Sequence, residues 1–95
     1  HFPEENGLAW KSRSLNSMAY SYCMQGNKKK AIVTVDEAIA INPNTLDYLD
    51  SKGELLYLSG EYESALEIWE HIQSLDKYFQ KNGWVDKSKT KIDAR

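Results

Sequence analysis

Residues 60–70 read GEYESALEIWE, Gly60 to Glu70, and this stretch decides the fold. Tyr62, Ala65, Leu66, Trp69 and, just beyond, Ile72 recur at spacings of three and four. Side chains return to one face of an α-helix at that period. Gly60 follows an apolar-periodic stretch, where a helix commonly ends on a left-handed residue that glycine adopts without strain. Glu61 and Glu63 put negative charge near the positive end of the helix that follows.

Working outward, a shift of 34 residues lays the chain on itself. Gly26 falls on Gly60, Ala31 on Ala65 and Leu15 on Leu49. Ala19 meets Gly53, Tyr22 meets Leu56, Val35 meets Trp69 and Ala38 meets Ile72. A fixed period in this range is the mark of a repeat architecture. The helical stripes agree with it. Leu15, Met18, Ala19 and Tyr22 form one, and Ala31, Val35, Ala38 and Ile39 a second. Leu46, Leu49, Gly53 and Leu56 form a third. The breakers between them are Gly26–Asn27, Asn42–Pro43–Asn44 and Ser59–Gly60. Pro43 cannot continue a helix and pushes Asn42 out of the helical region. Asn44 or Thr45 can then cap the next helix, with Asp47 in its first turn. Four helices are expected at about 8–25, 28–41, 45–59 and 62–76.

The pattern resembles the tetratricopeptide repeat, a 34-residue helix–turn–helix unit with the signature W-x2-L-G-x2-Y, then A-x3-F, then P. In the first copy the matching residues are Leu15, Met18, Ala19, Tyr22, Gly26, Ala31, Val35, Ala38 and Pro43. In the second they are Leu49, Lys52, Gly53, Leu56, Gly60, Tyr62, Ala65, Trp69 and Ile72. Lys52 departs from the usual Leu, Ile72 from a small residue and Lys77 from the closing Pro. The resemblance implies an all-α fold of antiparallel helix pairs stacked as a short right-handed superhelix. It implies one domain over 1–95, with repeats at about 12–45 and 46–79 and a capping helix at about 80–92. In that packing Ala19 faces Ala31 and Gly53 faces Ala65, letting paired helices approach closely.

The ends are less regular. Pro3 with Glu4 and Glu5 reads as a helix start, but Gly7 argues against an unbroken run into the first repeat. Leu8 and Trp10 either extend the first helix or cover its open end. Trp84, Ser88 and Ile92 share a helical face, interrupted by the polar Ser88. Beginning at His1 rather than Met, the chain reads as a piece of a longer protein. Two repeats and a cap are marginal for a solenoid, in which about three copies normally suffice.

Composition excludes several function classes. Cys23 is the only cysteine, and His1 and His71 are the only histidines. No intramolecular disulfide and no Cys/His zinc site can form. The glycine–lysine pattern of a phosphate loop is missing. Asp47 and Asp50 are helix neighbours rather than a calcium loop. A Cys23–His71 nucleophile pair would need contact between the first and last core helices. His71 reads as a boundary histidine, and no enzyme and no cofactor are expected. No apolar run is long enough to span a membrane, and the compartment is left open.

Charge is unevenly distributed. The net charge is −2, so no global field draws nucleic acid. Residues 1–76 hold six basic and twelve acidic side chains, and residues 77–95 six basic and two acidic. Lys28, Lys29 and Lys30 open the second helix against its dipole and read as a solvated edge.

What the resemblance implies for function is protein binding. In the family the first helix of each copy lines a concave groove. The positions carried over are Arg13, Asn16, Tyr20, Cys23 and Met24 in the first copy, and Asp47, Asp50, Glu54, Tyr57 and Leu58 in the second. Family members that clamp an acidic C-terminus need Lys and Asn there. Here Asp47, Asp50 and Glu54 would repel a carboxylate, so a basic or neutral peptide is expected. A second reading is a regulatory or self-assembly module, in which Lys81, Lys87, Lys89, Lys91 and Arg95 dock on an acidic groove in cis or on another copy. A homo-oligomer would then form.

Overall fold

The computed structural model describes the backbone of residues 3–94 and the side chains of residues 8–94. Among these are five helices and no strand: α1 (Pro3–Met24), α2 (Lys28–Ile41), α3 (Leu46–Leu58), α4 (Tyr62–Leu75) and α5 (Asn82–Asp93). The middle three lie within a residue of their expected bounds. The first helix does not. It starts at Pro3 and runs unbroken through Gly7. Pro at the first helical position is preorganised for the turn. A single Gly costs only about 1 kcal/mol relative to Ala, which lowers helix stability without breaking the run.

The repeat is visible in backbone detail. α2 and α4 each have 14 residues, and both their ends lie 34 residues apart. Gly26 and Gly60 take positive φ, +87° and +84°. Behind Gly26, its own N–H bonds Cys23 O at 3.0 Å and Asn27 N–H bonds Tyr22 O at 2.9 Å. Gly60 N–H bonds Tyr57 O at 3.0 Å and Glu61 N–H bonds Leu56 O at 2.9 Å, the same pair of bonds 34 residues on. Both are Schellman caps, which satisfy carbonyls left orphaned at a helix end. At the far ends, Asn42 and Asp76 both have φ −137° and donate to Ala38 O and Ile72 O. Asp76 ends α4 without a following proline. Its Oδ1 accepts from Tyr78 N–H at 3.0 Å, an Asx turn that redirects the chain.

Each helix packs on the next, and α1 also packs on α3. Two clusters result. Ala19, Ala31, Val35 and Leu55 are fully buried in the first, with Tyr20, Tyr22, Cys23 and Ile32 against them. Ala65, Trp69 and Ile72 are fully buried in the second, with Leu46, Leu49, Leu56 and Tyr57 from α3 around them. Ala19 and Ala31 thus lie in one cluster, as a close helix pair requires. At Gly53 the close neighbour is the indole of Trp69.

α3 lies between the clusters and buries two faces. Leu46, Leu49, Gly53 and Leu56 make the expected stripe. Tyr48, Ser51 and Leu55 are also buried and face the first helix pair. Tyr48 Oη shares a 3.0 Å hydrogen bond with the buried Ser12 Oγ of α1. The residues 34 positions earlier are Ser14, Ser17 and Ser21, so α1 presents a polar face where α3 presents an apolar one. Met18, expected in the core stripe of α1, is instead 43% exposed, and Ser12 is buried. Lys52, at a position where the resemblance calls for Leu, pairs with Asp36 of α2 at 2.7 Å.

α5 closes the far end. Trp84 and Val85, with Phe79 from the connector, pack on the Trp69 cluster. Ser88 is fully buried. Its hydroxyl donates to Trp84 O at 2.8 Å, so the polar interruption of that face carries no unsatisfied group. No described helix is long and apolar enough to cross a membrane.

Candidate functional site

The groove positions lie along α1 and α3, which run side by side. Tyr20 and Glu54 occupy the same place in successive copies and touch: Tyr20 Oη donates to Glu54 Oε1 at 2.7 Å. Such a contact between residues 34 apart follows when one copy is stacked on the next.

Around Glu54 the geometry differs from an open acidic groove. Lys81, in the connector between α4 and α5, reaches across the second copy. Its ammonium donates to Asp50 Oδ2 at 3.2 Å and to Glu54 Oε2. Trp69 Nε1–H donates to Asp50 Oδ1 at 3.0 Å. All four carboxylate oxygens of Asp50 and Glu54 therefore have one donor each, supplied by α1, α4 and the connector. The side chains are 15% exposed for Lys81, 26% for Asp50 and 21% for Glu54. This much shielding strengthens an ion pair relative to a freely solvated one.

The aromatic groups close the same region. Tyr57 meets Trp84 edge-on at 5.1 Å between centroids and Tyr62 edge-on at 5.3 Å. Trp84 also lies 6.0 Å from Trp69 and carries the Lys81 ammonium 5.4 Å from its ring centroid. Electrostatics follow from these contacts. Burial pushes the Tyr20 phenol well above its ordinary range. A Ser51 hydrogen bond opposes that shift, and Glu54 and Asp50 add to it. Burial works against the Lys81 charge, but hydrogen bonds and attraction from Glu54 and Asp50 outweigh it and raise its pKa.

The structure therefore gathers Tyr20, Asp50, Glu54 and Tyr57 into one cluster, joined by Trp69, Lys81 and Trp84. It leaves the other carried-over positions apart. Met24 and Asp47 are exposed on α1 and α3, and Leu58 is 45% exposed. Arg13 lines a separate surface depression with Trp10, Ser14 and Ser17. Asn16 is half-buried, and its Oδ1 is buried without a hydrogen-bond partner. Cys23 packs in the first cluster, and His71 is exposed on α4. Among the described residues, no group of three or more His, Cys, Asp or Glu side chains could hold a metal ion.

Searches against protein families, curated proteins and solved structures find no match to this chain.

Asp50 and Glu54 do not stand open: Lys81 engages both from within the same chain, which is the docking in cis set out for the basic end. Of the five basic residues expected to dock there, Lys81 alone has this contact among those described. Lys87, Lys89 and Lys91 are exposed on α5, and Arg95 lies outside the described residues. The roles of Trp69 and Trp84 at these positions were missed. Trp69 read only as core, and Trp84 only as part of a cap. The segregation of charge between residues 1–76 and 77–95 was the available signal.

Proposed function

We propose that the chain is a protein–protein interaction scaffold of the tetratricopeptide kind, binding a peptide segment along the α1–α3 face. The supporting observation is the 34-residue recurrence. Helix ends, Schellman caps and fully buried alanines repeat at that spacing, and equivalent residues of the two copies touch. Stacked helix pairs in a right-handed superhelix account for these features together. A stack of this kind offers an extended face for another chain. The role is binding, with no catalytic step.

The open part of that face is made of Met24, Asp47 and Leu58, beside the Tyr20–Glu54 contact. Met24 and Leu58 offer apolar contact and Asp47 a negative charge. This favours a neutral or basic segment with an apolar anchor over an acidic tail. Peptide-display selection on the intact chain tests the reading. Selected peptides should be poor in Asp and Glu and should lose binding when Met24→Ala and Leu58→Ala are combined. Undiminished binding to that double variant would place the site elsewhere.

A second reading rests on the exposed lysines of α5. Lys87, Lys89 and Lys91 suit salt-sensitive self-association, since exposed ion pairs are weak and screened. Sedimentation at low and high salt, before and after exchanging these three for Gln, decides it. A monomer under all conditions removes this alternative.

A further inference from the structure

Lys81 does more than balance charge near the cap. It lies in the connector between α4 and α5 rather than inside a helix. From there it occupies Asp50 and Glu54, in the middle of the second-copy positions of the face proposed for a ligand. Its ammonium takes the one oxygen of Asp50 and the one oxygen of Glu54 that Trp69 and Tyr20 leave over. The ring of Trp84 stands beside the same ammonium. Two carboxylates and an aromatic face around an ammonium are what a protein offers to a lysine side chain. Here the lysine comes from the chain itself.

We propose that the α4–α5 connector is a built-in competitor for this part of the groove, and that a lysine-bearing partner segment engages Asp50 and Glu54 by displacing Lys81. The occupant is argued from charge complementarity and from the segment of this chain already seated there. The inference rests on the groove-binding reading above and adds the chemistry of one subsite and its control. Only the connector's ammonium has to leave. Trp69 and Tyr20 stay on the other two oxygens and hold the carboxylates in place.

Tethering sets the size of the effect. A cis group on a short linker acts at an effective concentration on the order of millimolar. A partner at micromolar concentration competes poorly against it. The apparent affinity is reduced by the fraction of time the subsite is free. Removing the competitor should therefore raise affinity roughly tenfold or more.

The experiment uses the intact chain and a labelled twelve-residue peptide copying Leu75–Asp86, LDKYFQKNGWVD. A second peptide has Ala in place of the lysine that copies Lys81. The chain is tested unmodified and as Lys81→Met, which keeps the aliphatic stem and removes the charge. The proposal expects Lys81→Met to bind the lysine peptide at least about tenfold more tightly than the unmodified chain. The alanine peptide should show no such gain. Equal affinities of the two chains overturn it, including no binding by either, as does an equal gain with the alanine peptide. Circular dichroism checks the fold, and Lys81→Gln repeats the comparison if Lys81→Met unfolds. Unfolding of both variants also overturns the proposal, because a competitor that can leave must leave a folded chain behind. The groove reading fails on a different result, undiminished binding of display-selected peptides to the Met24/Leu58 double variant.

Discussion

A Cβ at Gly53 would lie 2.6 Å from Nε1 of Trp69, closer than any real side chain sits. The two residues face each other across the α3–α4 pair. Trp69 cannot easily withdraw, because it is fully buried and its indole N–H is held by Asp50 at 3.0 Å.

Gly53→Ala therefore sets two effects against each other. Alanine gains about 1 kcal/mol of helix propensity over glycine. Overpacking a filled site costs about 1–3 kcal/mol. Overpacking wins because the contact is with a pinned indole rather than the end of a flexible chain. Gly53→Ala should lose up to about 2 kcal/mol net, read as a lower urea midpoint at unchanged m-value. Tryptophan fluorescence should shift as the Asp50 bond is disturbed. A midpoint above that of the unmodified chain would show that the helices separate freely.

Glycines elsewhere should respond in other ways. Gly26 and Gly60 have open space where a Cβ would go but sit at φ +87° and +84°. A left-handed conformation costs an L-residue about 1–2 kcal/mol, partly offset by lower unfolded-state entropy. Gly26→Ala and Gly60→Ala should each lose about 1 kcal/mol. The two losses should be alike, because the caps are the same in hydrogen bonding. Gly83 also has open space, and its φ is not positive. Gly83→Ala should gain about 0.5 kcal/mol. Thermal unfolding of the three variants side by side checks sign and ranking.

The helix pairs were legible in the sequence because their information is local. Gly26, Gly60 and Asn42–Pro43 act on their own turns, and the stripe through Ala65, Trp69 and Ile72 marks one face. What escaped is what depends on where a helix lies in the stack. α3 buries two faces, and a search for one apolar stripe finds Leu49 and Leu56 but not Tyr48 and Leu55. Met18 was placed in the core on spacing alone, while the polar Ser12 took a buried place through its bond to Tyr48. The polar cluster is half legible: the 34-residue register pairs Tyr20 with Glu54 and puts Asp50 one turn before it. The connector has no periodicity, so the basic bias of residues 77–95 points to docking in cis by several residues including Lys81 but not to Lys81 in particular or to its two partners.

Alkaline pH should weaken the fold through Tyr20 and Lys81. Both pKa values are raised above their ordinary 10.0 and 10.5. A group with a raised pKa binds its proton more tightly in the folded chain. Its contribution is whole below the unfolded pKa and is lost as pH climbs through the folded one. Stability should hold up to about pH 9 and fall above pH 10 as the unfolded chain releases protons first. Tyr20→Phe should flatten part of that fall. In an ultraviolet titration, a tyrosine step above the ordinary phenol range should be present, and it should vanish in Tyr20→Phe. A titration unchanged by Tyr20→Phe in that range would contradict the Tyr20–Glu54 contact.

The three tryptophans give the last prediction, because they are alike in chemistry and differ in place. Trp10 is 67% exposed on α1, Trp69 is fully buried, and Trp84 is half-buried on α5 against Tyr57 and Trp69. Replacing a buried tryptophan with alanine costs about 3–5 kcal/mol through lost transfer energy and the cavity left behind. A small helical chain has a total stability of comparable size, so Trp69→Ala should be unfolded or nearly so at 25 °C. Trp84→Ala loses less buried area. It also gives up two aromatic contacts, each worth about 0.5–1.5 kcal/mol, so its loss should be about 2–3 kcal/mol in all. Trp10→Ala should stay within about 0.5 kcal/mol of the unmodified chain. Denaturant melts followed by far-ultraviolet circular dichroism give the order Trp69, Trp84, Trp10. If Trp84→Ala costs no more than Trp10→Ala, α5 is not closing the second cluster, and Lys81 is positioned by Asp50 and Glu54 alone.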